Sequence, residues 1–247
     1  MKLHCLGTTG YHPNERRHTA CYWLSEAGIV LDAGTAMFRL IEQPLGKTLD
    51  IFLTHAHLDH VVGLTFLLDV LYKRDMDSVR VHGSAKTLNA VRSHLFAEEI
   101  FPVTLPVEWC VLGDCAKLPH GGTLTSFPLT HPGASLGFRL DWPGHSMAYV
   151  TDTSSRGADS AYVEKIRGVD LLLHEANFAD GVEEFAEKTG HSCTSQAAEA
   201  AKAAGVQRLV LIHVFPRSPL LDPINVAAAQ AIFPRTEVAT DGMILEF

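Results

Sequence analysis

The chain has 247 residues, 47% of them hydrophobic and 19% charged, with a formal net charge of −8. That length and balance fit one globular α/β domain with a full core and exclude a disordered chain; the acidic sum argues against a generally basic nucleic-acid surface, although bound cations would offset it locally. Five cysteines (Cys5, Cys21, Cys110, Cys115, Cys193) form no C-x-x-C pair, which reads as free thiols in a reducing compartment rather than a disulfide framework or a separate structural zinc site. The first residues lack the apolar length of a signal segment and no run reaches membrane-spanning length, so the expected location is the cytoplasm.

Taken in order, short apolar runs predict strands at residues 3–6, 21–24 and 29–31, the last two joined by a Glu26-Ala27-Gly28 turn. A short helix is expected at 36–42 and a strand at 50–54. Residues 61–72 are apolar on most faces, which predicts a helix lying close against a sheet. A strand at 79–82, a helix from Ser84 to about residue 96 and one strand at 107–112 complete the first half. The second half repeats the alternation. Strands are expected at 123–130, 136–141, 147–151, 171–173, 209–212 and 243–247, with helices at 158–167, 178–188, 194–204 and 224–232. No linker or composition break divides the chain, so a single domain of two similar halves, about 1–122 and 123–247, is expected.

Leu53-Thr54-His55-Ala56-His57-Leu58-Asp59-His60 carries the strongest chemical signal. Side chains two apart in an extended segment share a face, so His55 and His57 can point into one cavity. Asp59 and His60 fall where the chain turns into a helix and can face a second position. Imidazole and carboxylate suit zinc, and also manganese or iron. Three further candidates leave short apolar strands in the same way: His131 after Pro128-Leu129-Thr130, Asp152 after Tyr149-Val150-Thr151, and His213 after Leu211-Ile212. Strand ends in layered α/β folds gather along one rim, where sites are built. A balanced set follows, with His55, His57, His131 and Asp152 on one ion and Asp59, His60, His213 and the same Asp152 on another. Two divalent ions about 3.5–4 Å apart can share a hydroxide and neutralise an anionic transition state. The remaining histidines (His4, His12, His18, His82, His94, His120, His145, His174) read as structural or surface residues.

These motifs resemble the metallo-β-lactamase superfamily, within it the tRNA 3′-processing endonucleases (RNase Z) and their small phosphodiesterase relatives. The resemblance runs nearly end to end through Leu6-Gly7-Thr8 with Pro13 and Arg17, Leu31-Asp32-Ala33-Gly34, residues 54–60, His131 with Ser135-Leu136-Gly137-Phe138, and Thr151-Asp152-Thr153. It continues through Leu173-His174-Glu175-Ala176, Gly190-His191-Ser192, Ile212-His213 with Pro216-Arg217, and Asp241-Gly242-Met243. It implies an α/β, four-layer αββα sandwich with two metal ions, the ligands being those assigned above. His191 would then hydrogen-bond the phosphoryl oxygens or act as an acid toward the leaving oxygen. Glu175 would orient His191, and Asp59 would double as ligand and acceptor for the attacking water. Asp32 is expected to be a buried acceptor behind the ligands. Thr8, Thr9, Arg17 and Ser192 are expected at the substrate, Thr8 and Thr9 through backbone N–H groups of the glycine turn. Relatives are often dimers, which the apolar stretch 61–71 permits.

Departures from RNase Z refine the expectation. Only residues 132–151 separate His131 from Asp152, leaving no room for the Gly/Pro-rich arm with which that family grips tRNA. His191-Ser192-Cys193 stands for the family's His-Ser-Thr, and Asn177 for a usual threonine. The expected reaction is therefore metal-dependent hydrolysis of a small or nucleotide-type phosphodiester, with tRNA 3′ processing as the alternative. Thioester or lactone hydrolysis, a di-iron redox module and a non-enzymatic metal-holding protein are further alternatives on the same scaffold.

Overall fold

Most of the short apolar runs form strands, whereas the apolar run 61–70 is helical. The computed structural model describes residues 1–217 and 222–247, and the chain divides into two units, Met1–Gly113 with Thr240–Glu246, and Asp114–Ala239 with Phe247. Among the described residues, no helix is long and apolar enough to cross a membrane.

The first unit holds β1 (Lys2–Gly7), β2 (Cys21–Leu24), β3 (Ile29–Leu31), β4 (Thr48–Phe52), α1 (Leu58–Val61), α2 (Leu67–Val70), β5 (Ser78–Gly83), α3 (Ala85–Ala90) and β6 (Glu108–Val111). With the last strand, β14 (Ile244–Glu246), they give the sheet order β14-β1-β2-β3-β4-β5-β6. Pairing is antiparallel from β14 to β3 and parallel from β3 to β6. On one face Val30, Leu49, Ile51, Val79 and Val81 pack with Met37, Leu40, Leu64, Leu67 and Leu88 from the helical segments. The alternate residues Leu31 and Phe52 are buried as well, which is why these strands read as continuous apolar runs. Each such side chain contributes about 1.5–3 kcal/mol on burial.

The single helix expected over 61–72 is interrupted. α1 gives way to a 3₁₀ stretch at Val62–Phe66 before α2 begins. Gly63 explains the break: its N–H donates to the Ala33 carbonyl at 2.7 Å, and a Cβ there would lie 2.1 Å from the Gly34 oxygen. Tight docking of this turn on the loop after β3 takes precedence over helix continuity.

The second unit holds β7 (Cys115–Leu118), β8 (Gly122–Leu129), β9 (Ser135–Trp142), β10 (His145–Val150), β11 (Leu171–Glu175), α4 (Glu183–Thr189), α5 (Thr194–Ala204), β12 (Leu209–Ile212), α6 (Val226–Ile232) and β13 (Thr236–Val238). Its sheet order is β13-β12-β11-β10-β9-β8-β7, antiparallel from β7 to β10 and parallel from β10 to β13. Buried alanines of α5 (Ala197, Ala198, Ala201) sit in one core with Phe127, Val150 and Leu211; small side chains allow a helix to approach its sheet closely.

The helix expected over 158–167 does not form. A short 3₁₀ segment, Gly157–Asp159, is followed by turns. The hydroxyls of Ser155 and Ser160 accept from the N–H groups of Gly157 and Arg156, the local competition by which serine displaces helix bonding. Two strands escaped the pattern reading, β7 and β13. The first is mostly exposed, and the second is only three residues long.

Candidate metal-binding and catalytic site

In the first unit the site residues follow the carboxyl ends of the parallel strands β3 and β4. Asp32 comes directly after β3 in a left-handed conformation, φ +55°, and is fully buried. Its carboxylate accepts from Thr54 N at 2.8 Å, from Thr54 Oγ1 at 2.9 and 3.0 Å, and from His60 Nδ1 at 2.8 Å. Because the one Thr54 hydroxyl proton goes to Asp32, Thr54 Oγ1 can only accept from His55 Nδ1, 3.0 Å away. This arrangement suits the Nδ1–H tautomer of both His55 and His60, in which Nε2 carries the lone pair that a metal ion could take. The His55 ring centroid lies 4.5 Å from that of His57 and 4.3 Å from that of His60. His57 is exposed, at the N-cap position of α1. Asp59, in the first turn of α1, has Oδ2 3.4 Å from His60 Nε2 and accepts the Tyr11 N–H at 2.7 Å.

In the second unit Asp152 is placed between two imidazoles. Its Oδ2 lies 3.6 Å from His131 Nε2 and its Oδ1 3.2 Å from His213 Nε2. Asp152 and His213, each following a strand end, adopt φ of +46° and +54°. Non-glycine residues enter this region at a cost, and such positions concentrate at functional sites. His131 Nδ1 donates to the Gly190 carbonyl at 2.8 Å, so that Nε2 is the nitrogen that could take a metal ion. His213 Nδ1 is 3.1 Å from the side-chain amide of Asn177.

Beside them stands His191, whose Nδ1 is 3.0 Å from Glu175 Oε1. Glu175 is fully buried at the end of β11 and accepts the backbone N–H groups of Thr153, Asn177 and Ser192 as well. Burial pushes its carboxyl up, but the His191 charge and hydrogen bond outweigh this and hold it below the ordinary carboxylate range. The His191 ring is stacked on His213, centroids 5.4 Å apart, and Asp152, His191 and His213 each offer a ligand atom, all within 4.8 Å of one another.

The donor set fits divalent cations. Imidazole Nε2 atoms face carboxylate oxygens, and protein partners hold Nδ1 of His55, His60 and His131, the arrangement by which ligating histidines are oriented. The sequence description "Beta-lactamase superfamily domain" matches residues 28–214. The chain belongs to that superfamily. Within it the RNase Z proteins are close relatives: that of Salinibacter ruber is 30% identical, aligned over 96% of this chain and 91% of that protein. That of Pyrobaculum aerophilum is 31% identical over 89% of this chain and 88% of that protein. A match to the RNase Z of Synechococcus sp. (strain CC9605) is 42% identical but takes in only 40% of this chain and 31% of that protein. Among solved structures, the metallo-β-lactamase fold protein YhfI of Bacillus subtilis covers 99% of both chains with a TM-score of 0.81 at 21% identity. The short form of human tRNase Z covers 100% of this chain and 99% of its own, with a TM-score of 0.77 and 21% identity. The α/β sandwich of the metallo-β-lactamase type is thereby the fold of this superfamily member.

The residues expected at the substrate also hydrogen-bond within the protein. Thr8 and Thr9 are buried, and both of their N–H groups donate to the His18 carbonyl, at 2.9 and 3.1 Å. The backbone donors expected of the glycine turn are thus already engaged. Thr8 Oγ1 donates to Asp241 at 2.7 Å and accepts from Arg17 at 2.6 Å, while Asp241 also takes the His18 N–H and Arg39. Asp241 is the hub that fixes this loop. Ser192 is buried, its hydroxyl donating to the Thr153 carbonyl at 2.6 Å. Sequence reasoning passed over Gly190 and Asn177 as partners of His131 and His213. Gly190 stands inside Gly190-His191-Ser192 and Asn177 directly follows Leu173-His174-Glu175-Ala176, and that placement was the available signal.

Proposed function

We propose that this chain is a dinuclear metal-dependent phosphodiesterase acting on a small or nucleotide-type substrate. The observation that carries the reading is Asp152, with one carboxylate oxygen toward His131 and the other toward His213. A carboxylate so flanked is suited to bridge two cations. His55, His57, His131 and Asp152 would hold one ion, and Asp59, His60, His213 and Asp152 the other, zinc being the expected metal with manganese or iron compatible. When bound, such a pair supplies water of lowered pKa and offsets phosphoryl charge.

The chain's own residues supply the rest. Asp59 accepts a proton from the attacking water. His191 holds a proton on Nε2, directed at the phosphoryl group or the leaving oxygen. Glu175 orients His191 by accepting from its Nδ1 and supports the imidazolium form, and it is itself fully buried. One positioned acid typically contributes about 10²–10⁴-fold.

The RNase Z relatives support a second reading, cleavage at tRNA 3′ ends. Against it stand the short 132–151 connection, which here is β9, β10 and two turns, and the net charge of −8. Assays on bis(p-nitrophenyl) phosphate, 2′,3′-cyclic nucleotides and a 3′-extended tRNA separate the two. His191→Ala should keep its metal and lose about 10²-fold or more in kcat; normal turnover by that variant removes His191 from the chemistry. Efficient cleavage of the tRNA alone selects the second reading, and inactivity on every phosphodiester rejects both.

A further inference from the structure

Three phenylalanines from separate segments of the second unit converge beside His191 without being buried. Phe178 lies in the loop after β11, Phe185 in α4, and Phe215 two residues past His213. Phe178 is at the centre, its ring 5.5 Å from both Phe185 and Phe215 and 6.2 Å from His191. Phe185 is 55% exposed, and Phe178 and Phe215 are half-buried. Large rings are ordinarily withdrawn from water, and a contiguous group left facing it marks a recognition surface. This one is continuous with the His191–His213 ring pair, whose planes are inclined by only 23°.

Resting on the phosphodiester reading, we propose that Phe178, Phe185 and Phe215 form a stacking surface for one nucleobase of the substrate, placed so that the adjoining phosphate meets His191. A base is planar, offers a π face whatever its identity, and stacks on aromatic side chains without needing hydrogen-bond donors from the wall. The charges around the surface set the size of the ligand. Asp180, Glu183 and Glu184 are exposed beside these rings in the chain and would repel further phosphates of a polynucleotide. A single base joined to a single phosphoryl group satisfies both features.

Binding of AMP and of ribose 5-phosphate to the zinc-supplied 247-residue chain, followed by calorimetry, tests this independently of turnover. The two ligands share sugar and phosphate and differ in the base. AMP is expected to bind about tenfold more tightly, within the range of base–aromatic stacking. The exposed position of Phe185 makes Phe185→Ala the safest variant for folding; it should bring the two affinities together, whereas Phe185→Trp should preserve the gap. Equal affinities in the wild-type protein, no measurable AMP binding, or a gap that survives both Phe185→Ala and Phe215→Ala would overturn the proposal. A protein that prefers AMP yet hydrolyses no phosphodiester would lose the catalytic reading and keep this surface. One that turns over bis(p-nitrophenyl) phosphate without preferring AMP would do the reverse.

Discussion

The carboxylate of Asp32 meets His60 Nδ1 at 2.8 Å with both side chains fully buried. The same carboxylate, through Thr54, fixes His55. One acid therefore sets the tautomer of two proposed ligands without touching a metal itself. Asp32→Asn tests this cleanly, because asparagine tolerates the left-handed backbone that Asp32 adopts. Loss of an orienting carboxylate typically costs about 10–100-fold in metal affinity, so the variant should show that weakening in a zinc competition titration. Unchanged affinity would reduce Asp32 to a folding role.

Gly190 makes a steric demand in the other unit. Its φ is +83°, and a Cβ there would lie 2.2 Å from Pro132 Cδ and 2.6 Å from His131 Nδ1. Its carbonyl is also the acceptor that orients His131. Gly190→Ala must therefore displace His131 or the loop, in addition to about 1–2 kcal/mol for a left-handed alanine. Expected outcomes are a lower melting temperature and loss of metal from the protein. A variant with full metal content would show that the loop adapts.

Much of the fold is legible in the sequence. The strands at 21–24, 29–31 and 209–212 and the helix at 194–204 fall where the pattern put them, because apolar periodicity and turn residues agree there. Polar residues just past apolar strand ends marked Asp152 and His213, and the structure adds that both backbones are left-handed. Elements decided by a neighbour rather than by their own residues were not legible. The break at Gly63 depends on Ala33 and Gly34, and the unravelled 158–167 segment on the Ser155 and Ser160 hydroxyls. That the Thr8 and Thr9 N–H groups both donate to the His18 carbonyl is likewise not legible in the sequence.

Away from the site, Asp50 offers a stability test. Its carboxylate is nearly buried, at 5% exposure, and takes two hydrogen bonds of 2.7 Å from Arg80 and one of 2.6 Å from His82. Burial raises its pKa, but the His82 and Arg80 hydrogen bonds and charges more than offset this, so the folded-state value lies below the ordinary 3.8. A group depressed in the folded state binds fewer protons there than in the unfolded chain. Its stabilisation is therefore complete above the unfolded pKa and disappears as pH falls through the folded one. Urea midpoints should drop from about pH 5 downward in the wild-type protein. Asp50→Asn should be less stable near neutrality by about 1–3 kcal/mol and flatter in acid. Parallel acid limbs for the two proteins would assign the loss to other carboxylates.

The departure from His-Ser-Thr at Cys193 has a measurable consequence for α5. Cys193 occupies the N-cap position, where its N–H donates to Gln196 Oε1 at 2.8 Å. A thiol is a weak acceptor for the first-turn N–H groups, whereas a serine hydroxyl of nearly the same size is a strong one. The helix it begins carries the alanine face that packs in the second core, so fraying there would propagate into buried contacts. Cys193→Ser should stabilise the protein by about 0.5–1 kcal/mol, read as a rise of about 1–4 °C in melting temperature for a chain of this size. The wild-type thiol, pushed up to about 11 by burial, should also resist alkylation at neutral pH long after the exposed Cys115 has reacted. A serine variant that melts lower would mean that packing of the sulfur outweighs the gained cap.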